Sequence, residues 1–168
     1  MDSHINELAR ELVAFMCDRG LTLATAESCT GGKLAAAITS VPGCSKVYVG
    51  GVVSYSNDVK SKVLGIDSEV LEKYGAVSCE TVEAMALRVC HLMDCDCAMA
   101  TSGIAGPDGG TVEKPVGTVW IAVNIKGDVV STLLQLEDKG RDANICSSVE
   151  NVLSLLRKKI RDISPIAR

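Results

Sequence analysis

Apolar residues recur at helical spacing near the start of the chain, at Ile5, Leu8, Leu12, Val13 and Met16, and Gly20 follows the charged pair Asp18 and Arg19 as a stop. This predicts an opening amphipathic helix. The period then changes. Residues 21–26 alternate Leu, Thr, Leu, Ala, Thr, Ala, the two-residue repeat of a strand, before Leu34-Ala35-Ala36-Ala37-Ile38 returns to helix formers and closes near Ser40 at Val41-Pro42-Gly43. Residues 46–55 are β-rich with Gly50-Gly51 at their centre, and a glycine pair inside a strand signals a bulge or a close backbone approach. Residues 57–64 and 68–74 read as two short helices, closed by Gly65 and Gly75. A longer helix follows the cap-like Ser78-Cys79-Glu80-Thr81, with Val82, Met85, Ala86, Val89, Leu92 and Met93 at its period. A strand at 97–101 leads into a glycine-rich loop. Residues 117–125 and 129–136 then form a predicted hairpin turning at Lys126-Gly127-Asp128, and a terminal helix at 142–161 places Val149, Val152, Leu153, Leu156 and Ile160 on one face. Helices alternating with strands argue for parallel pairing, and the hairpin adds an antiparallel part. The expected fold is α/β: a single three-layer α/β/α domain with a mixed sheet over residues 1–168.

Composition narrows the function classes. The 168 residues carry a formal net charge of −4, with no basic stripe, and one Trp, three Tyr and one Phe supply few platforms for stacking bases, so direct nucleic-acid binding is not expected. The apolar runs are too short to span a membrane, and the first ten residues hold Asp2, Glu7 and Arg10 without a signal-like apolar stretch. The expectation is a cytoplasmic protein without a membrane partner. Eight cysteines (17, 29, 44, 79, 90, 95, 97 and 146) are scattered without a CxxC pair, so no zinc framework and no metal site is predicted, and the thiols are expected to be reduced.

Candidate chemistry concentrates at three predicted strand ends, where α/β sheets present their sites. The first is Thr25-Ala26-Glu27-Ser28-Cys29-Thr30-Gly31-Gly32, in which Ser28 falls at a strand-to-helix turn and the first-turn amides of the following helix are expected to point outward toward an oxyanion or phosphate. The second is Tyr55-Ser56-Asn57-Asp58-Val59-Lys60. A buried lysine with a lowered pKa, helped by a tyrosine hydroxyl, deprotonates a serine. The third is the loop from Ser102 to Gly117, whose Gly103, Gly106, Gly109 and Gly110 let backbone amides approach a ligand, although no Walker pattern is present. Glu113-Lys114-Pro115 forms a turn there or supplies charge around a ligand. Only His4 and His91 exist, both away from these segments, which argues against a Ser-His-Asp triad. Two arrangements stay open: Ser28 as nucleophile with Lys60 or Tyr55 as base, or Cys29 as nucleophile with Glu27 and Lys60.

The segments TAESCTGG, GGVVSYSNDVK, GAVS and SGIAGPDGG followed by EKPVGTVWIAV resemble, in order and over nearly the whole chain, the C-terminal domain of the CinA competence/damage-inducible proteins. Stand-alone members of that family are nicotinamide mononucleotide deamidases, so the resemblance implies hydrolysis of that nucleotide to nicotinate mononucleotide and ammonia, in pyridine nucleotide recycling, with no cofactor. It places the catalytic set on Ser28, Tyr55 and Lys60. Substrate contacts are implied at Glu27, Cys29, Thr30, Gly31, Gly32, Asn57, Ser102, Gly103, Gly106 and Arg141. The arginine lies in Lys139-Gly140-Arg141-Asp142, where the family usually has Gly-Asp-Arg, and Ile145-Cys146 stands where a second arginine is common. A dimer or higher homo-oligomer is implied too. The serine motif begins about 24 residues into the chain, so the pyrophosphatase domain of longer relatives is not expected ahead of it. The alternative is a non-catalytic nucleotide-binding or adaptor module, since fold alone does not exclude one.

Overall fold

The structure is a computed structural model and describes residues 3–161; the ends of the expected 1–168 domain lie outside the described residues. Helix α1 (Ser3–Arg19) buries Ile5, Leu8, Leu12, Val13 and Met16, the stripe read from spacing, together with Ala9. It ends where Gly20 takes φ +63°, a left-handed value that costs glycine nothing. The remaining elements follow in the predicted order: β1 (Leu23–Glu27), α2 (Lys33–Thr39), β2 (Tyr48–Val53), α3 (Asn57–Lys62), α4 (Ser68–Tyr74), α5 (Cys79–Met93), β3 (Cys97–Gly103), β4 (Thr118–Ile125), β5 (Asp128–Gln135) and α6 (Arg141–Ile160). A 3₁₀ turn at Cys44–Lys46 was not predicted. Strand β3 runs two residues beyond the predicted 101, which carries Ser102 and Gly103 out of the loop and into the sheet. The hairpin turn is tighter than predicted, because Asp128 already pairs with Ile125 and only Lys126 and Gly127, at φ 52° and 94°, make the turn.

Five strands form one mixed sheet in the order β2-β1-β3-β4-β5. β1 lies parallel to β2 and β3, and β4 runs antiparallel to β3 and β5. The two faces differ in side-chain size. Leu23, Cys97, Met99, Val119, Ile121 and Val123 face α1, α2 and α6 in one core. On the opposite face Ala24, Ala26, Ala98, Ala100 and Ala122 meet Val82, Met85, Ala86 and Val89 of α5. Alternation along each strand sends successive side chains to opposite layers, and the short alanines let α5 lie close to the sheet.

Both features foreseen for the glycine pair of β2 are present, the bulge at Val49 just before it and the close approach at Gly51. The β1–β2 register slips between Leu23, paired with Tyr48, and Ala24, paired with Gly50. A Cβ on Gly51 would run into the Thr25 and Tyr48 hydroxyls, which share a hydrogen bond of 2.7 Å. Among the described residues no helix is long and apolar enough to cross a membrane.

Candidate active site

β1 ends in the middle of the sheet's parallel part, and the chain leaves it held from both sides. The Ser28 amide donates to the Thr101 carbonyl of β3 at 2.9 Å, and on the other flank the Ser54 amide donates to the Glu27 carbonyl at 2.7 Å. Beyond Ser28 the chain bends sharply. Gly31 N–H returns to the Ser28 carbonyl at 3.1 Å, and Gly31 and Gly32 both take positive φ, 58° and 98°, a consecutive pair that side chains rarely adopt. Both glycines are therefore needed to make the turn, whatever they later contact.

Glu27 holds this turn from beneath. Its carboxylate is 1% exposed, and Oε2 accepts from the Thr30 hydroxyl (2.6 Å) and from the Gly32 and Leu34 amides (both 3.0 Å), while Oε1 accepts from the Ala35 amide (2.8 Å). Gly32 at the N-cap position has no side chain with which to cap, so Glu27 caps α2 from five residues upstream. This corrects one expectation. The first-turn amides of α2 do not face outward for a ligand; three of them are taken by a buried carboxylate that also balances the positive end of the helix. The Thr30 hydroxyl shares a further bond of 2.7 Å with Thr101, which links the turn to β3.

Lys60 comes from α3, which Ser56 caps by accepting the Val59 amide at 3.3 Å. The side chain is 1% exposed. Its Nζ donates to the Ser54 carbonyl at 2.7 Å and to Ser28 Oγ at 3.1 Å. Among the described residues no carboxylate forms an ion pair with it. Burial lowers its pKa below the usual lysine value, because the ammonium loses hydration that these two neutral acceptors replace only in part. Such an arrangement weakens the amine's hold on its proton beside a serine hydroxyl. Cys29, next in the chain, is buried, and that burial pushes its thiol up to about 12. A thiol so reluctant to ionise is a poor nucleophile at neutral pH. The lysine amine meets the Ser28 hydroxyl at 3.1 Å, and the burial of Cys29 disfavours its thiolate.

Tyr55 lies elsewhere. It is 59% exposed, past the end of β2, and its hydroxyl accepts from Arg141 Nη2 at 2.9 Å rather than from Ser28 or Lys60. Arg141 Nη1 also donates to the Gly106 carbonyl at 2.7 Å, so this guanidinium, at the first position of α6, joins the loop after β2 to the glycine loop after β3. Tyr55, Gly106 and Arg141 form a second, more exposed group. Asn57 starts α3 and lines a cleft of about 230 Å³ with Asp58, Ser61, Ser68, Leu71 and Glu72, apart from Ser28. Ser102 is fully buried, and its hydroxyl donates to the Ala76 carbonyl at 2.7 Å. Gly103 is accounted for by its neighbour strand, since a Cβ there would sit 2.6 Å from the Val119 Cα. The segment Glu113-Lys114-Pro115 is a turn in which Lys114 Nζ donates to the Val77 carbonyl at 2.8 Å, strapping the glycine loop to the start of α5. Thr101 and the Ser54 carbonyl, which sequence reasoning did not single out, hold the turn and the amine. A backbone acceptor leaves no trace in sequence, and Thr101 reads there as one more strand residue.

A serine hydroxyl on a buried lysine, at the C-terminal edge of parallel strands, defines an α/β domain with a hydroxyl–amine couple at its sheet edge. The chain belongs to the CinA C-terminal domain family, which matches residues 5–160. It is 49% identical over 142 residues to a CinA-like protein of Cytophaga hutchinsonii, covering 84% of this chain and 34% of that protein. It is 44% identical over 167 residues to a CinA-like protein of Shewanella amazonensis, covering 96% and 39% respectively. The chain thus spans roughly a third of the length of the curated relatives it matches. Among solved structures, the competence/damage inducible protein CihA of Agrobacterium tumefaciens superposes with a TM-score of 0.92 at 39% identity, covering 94% of this chain and 96% of that one. The competence damage-inducible protein A of Klebsiella pneumoniae gives a TM-score of 0.92 at 35% identity, covering 95% and 99%.

Proposed function

We propose that this chain is a nicotinamide-nucleotide amidase that hydrolyses the carboxamide of nicotinamide mononucleotide to nicotinate mononucleotide and ammonia, with Ser28 as nucleophile. One observation carries the reading: the Lys60 amine lies 3.1 Å from Ser28 Oγ, buried and, among the described residues, without a carboxylate partner. A binding module has no use for an amine kept short of its usual proton affinity beside a hydroxyl.

In this mechanism neutral Lys60 accepts the Ser28 proton as Oγ attacks the carboxamide carbon. Gly31 N–H is spent on the Ser28 carbonyl, which leaves the turn amides of Cys29 and Thr30 as donors to the tetrahedral oxyanion. Lys60 then passes its proton to the departing nitrogen, and ammonia leaves an acyl-serine. A water, deprotonated by the same amine, releases the carboxylate product. The substrate assists. Its pyridinium charge makes the carboxamide carbon more electrophilic, and a cationic ring nearby further favours the neutral form of Lys60. Arg141, between Tyr55 and Gly106, is the cation that meets the nucleotide phosphate, and Tyr55 lines the approach instead of acting as the base.

Incubating the purified chain and its Ser28→Ala variant with nicotinamide mononucleotide, and following ammonia and nicotinate mononucleotide together, tests the reading. Turnover in the parent and a loss of about 10³-fold or more in the variant is the expected result. A folded parent that binds the nucleotide without turning it over overturns the amidase reading and leaves the binding module.

A further inference from the structure

Helix α5 ends far along the chain from Ser28 in an unusual chemical setting. Asp94 takes a left-handed conformation (φ 48°, ψ 58°). The closing bonds run from the Asp94 amide to the His91 carbonyl at 3.3 Å and from the Cys95 amide to the Cys90 carbonyl at 3.2 Å. A left-handed C-cap closed by this pair of bonds brings the residue after the cap against the one five positions earlier, and that contact is ordinarily apolar. Here both positions hold cysteine. Their sulfurs stand 3.7 Å apart, and the Cys90 thiol also lies 2.8 Å from the Cys95 carbonyl. Cys90 is 6% exposed and packs in the α5 core, whereas Cys95 is partly exposed. The third nearby thiol, Cys97, packs in the core on the other side of the sheet.

We infer that Cys90 and Cys95 are a modification site, a dithiol that closes into an intramolecular disulfide on exchange with a low-molecular-weight disulfide. The backbone bond between the two residues already holds their main chains together, and the two thiols face each other. Reaching the bonded separation of about 2.05 Å needs the sulfurs to approach by about 1.7 Å, within the reach of side-chain rotation. The chemistry has two steps. The Cys95 thiolate, the more accessible, attacks one sulfur of the small disulfide and expels one small thiolate. Cys90 then loses its proton and attacks the Cys95 sulfur of the mixed disulfide, expelling the second. Two protein thiols are oxidised by two electrons, and one small disulfide is reduced to two thiols. Burial holds both protein thiols above their ordinary range, Cys95 at about 12, so the first attack is slow at neutral pH and quickens as pH rises.

The test is to hold the full chain in glutathione buffers of increasing disulfide content, trap free thiols in acid, and digest with a protease that cuts before aspartate. Cleavage before Asp94 and Asp96 puts Cys90, Cys95 and Cys97 on three separate peptides, and trypsin, added to cut after Arg88, parts Cys90 from Cys79. The expected first product lacks two hydrogens and joins the Cys90 peptide to the Cys95 peptide. In Cys90→Ser, Cys95 is expected to stop at the glutathione adduct, several-fold more abundant than in the parent. Retention of all eight thiols, adducts at Cys17, Cys44, Cys79 or Cys146 without a cross-link, or a cross-link between other residues overturns the inference. The peptide map of the parent decides the matter even where a variant fails to fold.

Discussion

Replacing Glu27 by Gln changes one oxygen to an amide nitrogen where four hydrogen bonds converge on a buried carboxylate. With the amide oxygen in the place of Oε2, the bonds from Thr30, Gly32 and Leu34 persist but lose their charge assistance, a reduction of about 1 kcal/mol each. The amide nitrogen in the place of Oε1 then confronts the Ala35 N–H donor to donor, and a buried donor without a partner costs about 1–3 kcal/mol. Relief from burying a charge offsets part of this. The net expectation is a destabilisation of about 2–4 kcal/mol, against a whole-domain stability of about 5–15 kcal/mol. In urea denaturation at pH 7 that appears as a midpoint lower by about 1–2 M, taking a slope of about 2 kcal/mol/M. Because the same carboxylate shapes the turn carrying Ser28, kcat should fall more than KM rises. A midpoint within about 0.3 M of the parent at unchanged slope would refute the reasoning, since it would mean that α2 keeps its cap without the charge.

Three further outcomes follow from the site. Lys60→Met should remove turnover by about 10²–10⁴-fold and alter the dependence of stability on pH. The folded chain binds the Lys60 proton more weakly than the unfolded chain, so its cost is present in full below the lowered folded pKa and disappears as pH rises toward 10.5. The variant should therefore gain relative to the parent at neutral pH and lose that gain in alkali, and an unchanged difference in urea midpoint between pH 6 and pH 10 would contradict the shift. Cys29→Ala should keep turnover within about three-fold of the parent while losing about 1 kcal/mol of stability in the same denaturation assay; a collapse of activity matching Ser28→Ala would move the nucleophile to the thiol. Gly51→Ala, whose Cβ would meet the Thr25 and Tyr48 hydroxyls and lie 2.9 Å from the Thr25 carbonyl, should cost about 1–3 kcal/mol. Thermal unfolding checks it, and an unshifted midpoint would show that the β1–β2 contact yields.

Most of the architecture was legible because it is written in local periodicity. The α1 stripe from Ile5 to Met16, the alternation of β1, the glycine pair of β2 and the apolar face of α6 each state which side of an element is buried, and a mixed α/β/α arrangement is what accommodates them together. Ser28 and Lys60 were legible as candidates, since a hydroxyl at a strand end and an amine one turn into the next helix are features of short segments. What those residues face was not legible. Glu27 looked like a ligand-binding or catalytic carboxylate, and it proved to be the cap of α2. Ser102 looked like a loop contact, and its hydroxyl is used on Ala76. Tyr55 looked like a companion of Lys60, and its hydroxyl belongs to Arg141, which lies 86 residues away in sequence. By itself, then, the sequence determined the elements, their buried faces and the residue types available for chemistry, because these follow from forces acting over a few residues. Only the tertiary structure decided which carboxylate caps, which amine meets the serine and that this amine holds its proton less firmly than a solvated lysine, because burial and hydrogen-bond partners are set by segments that the chain brings together from afar.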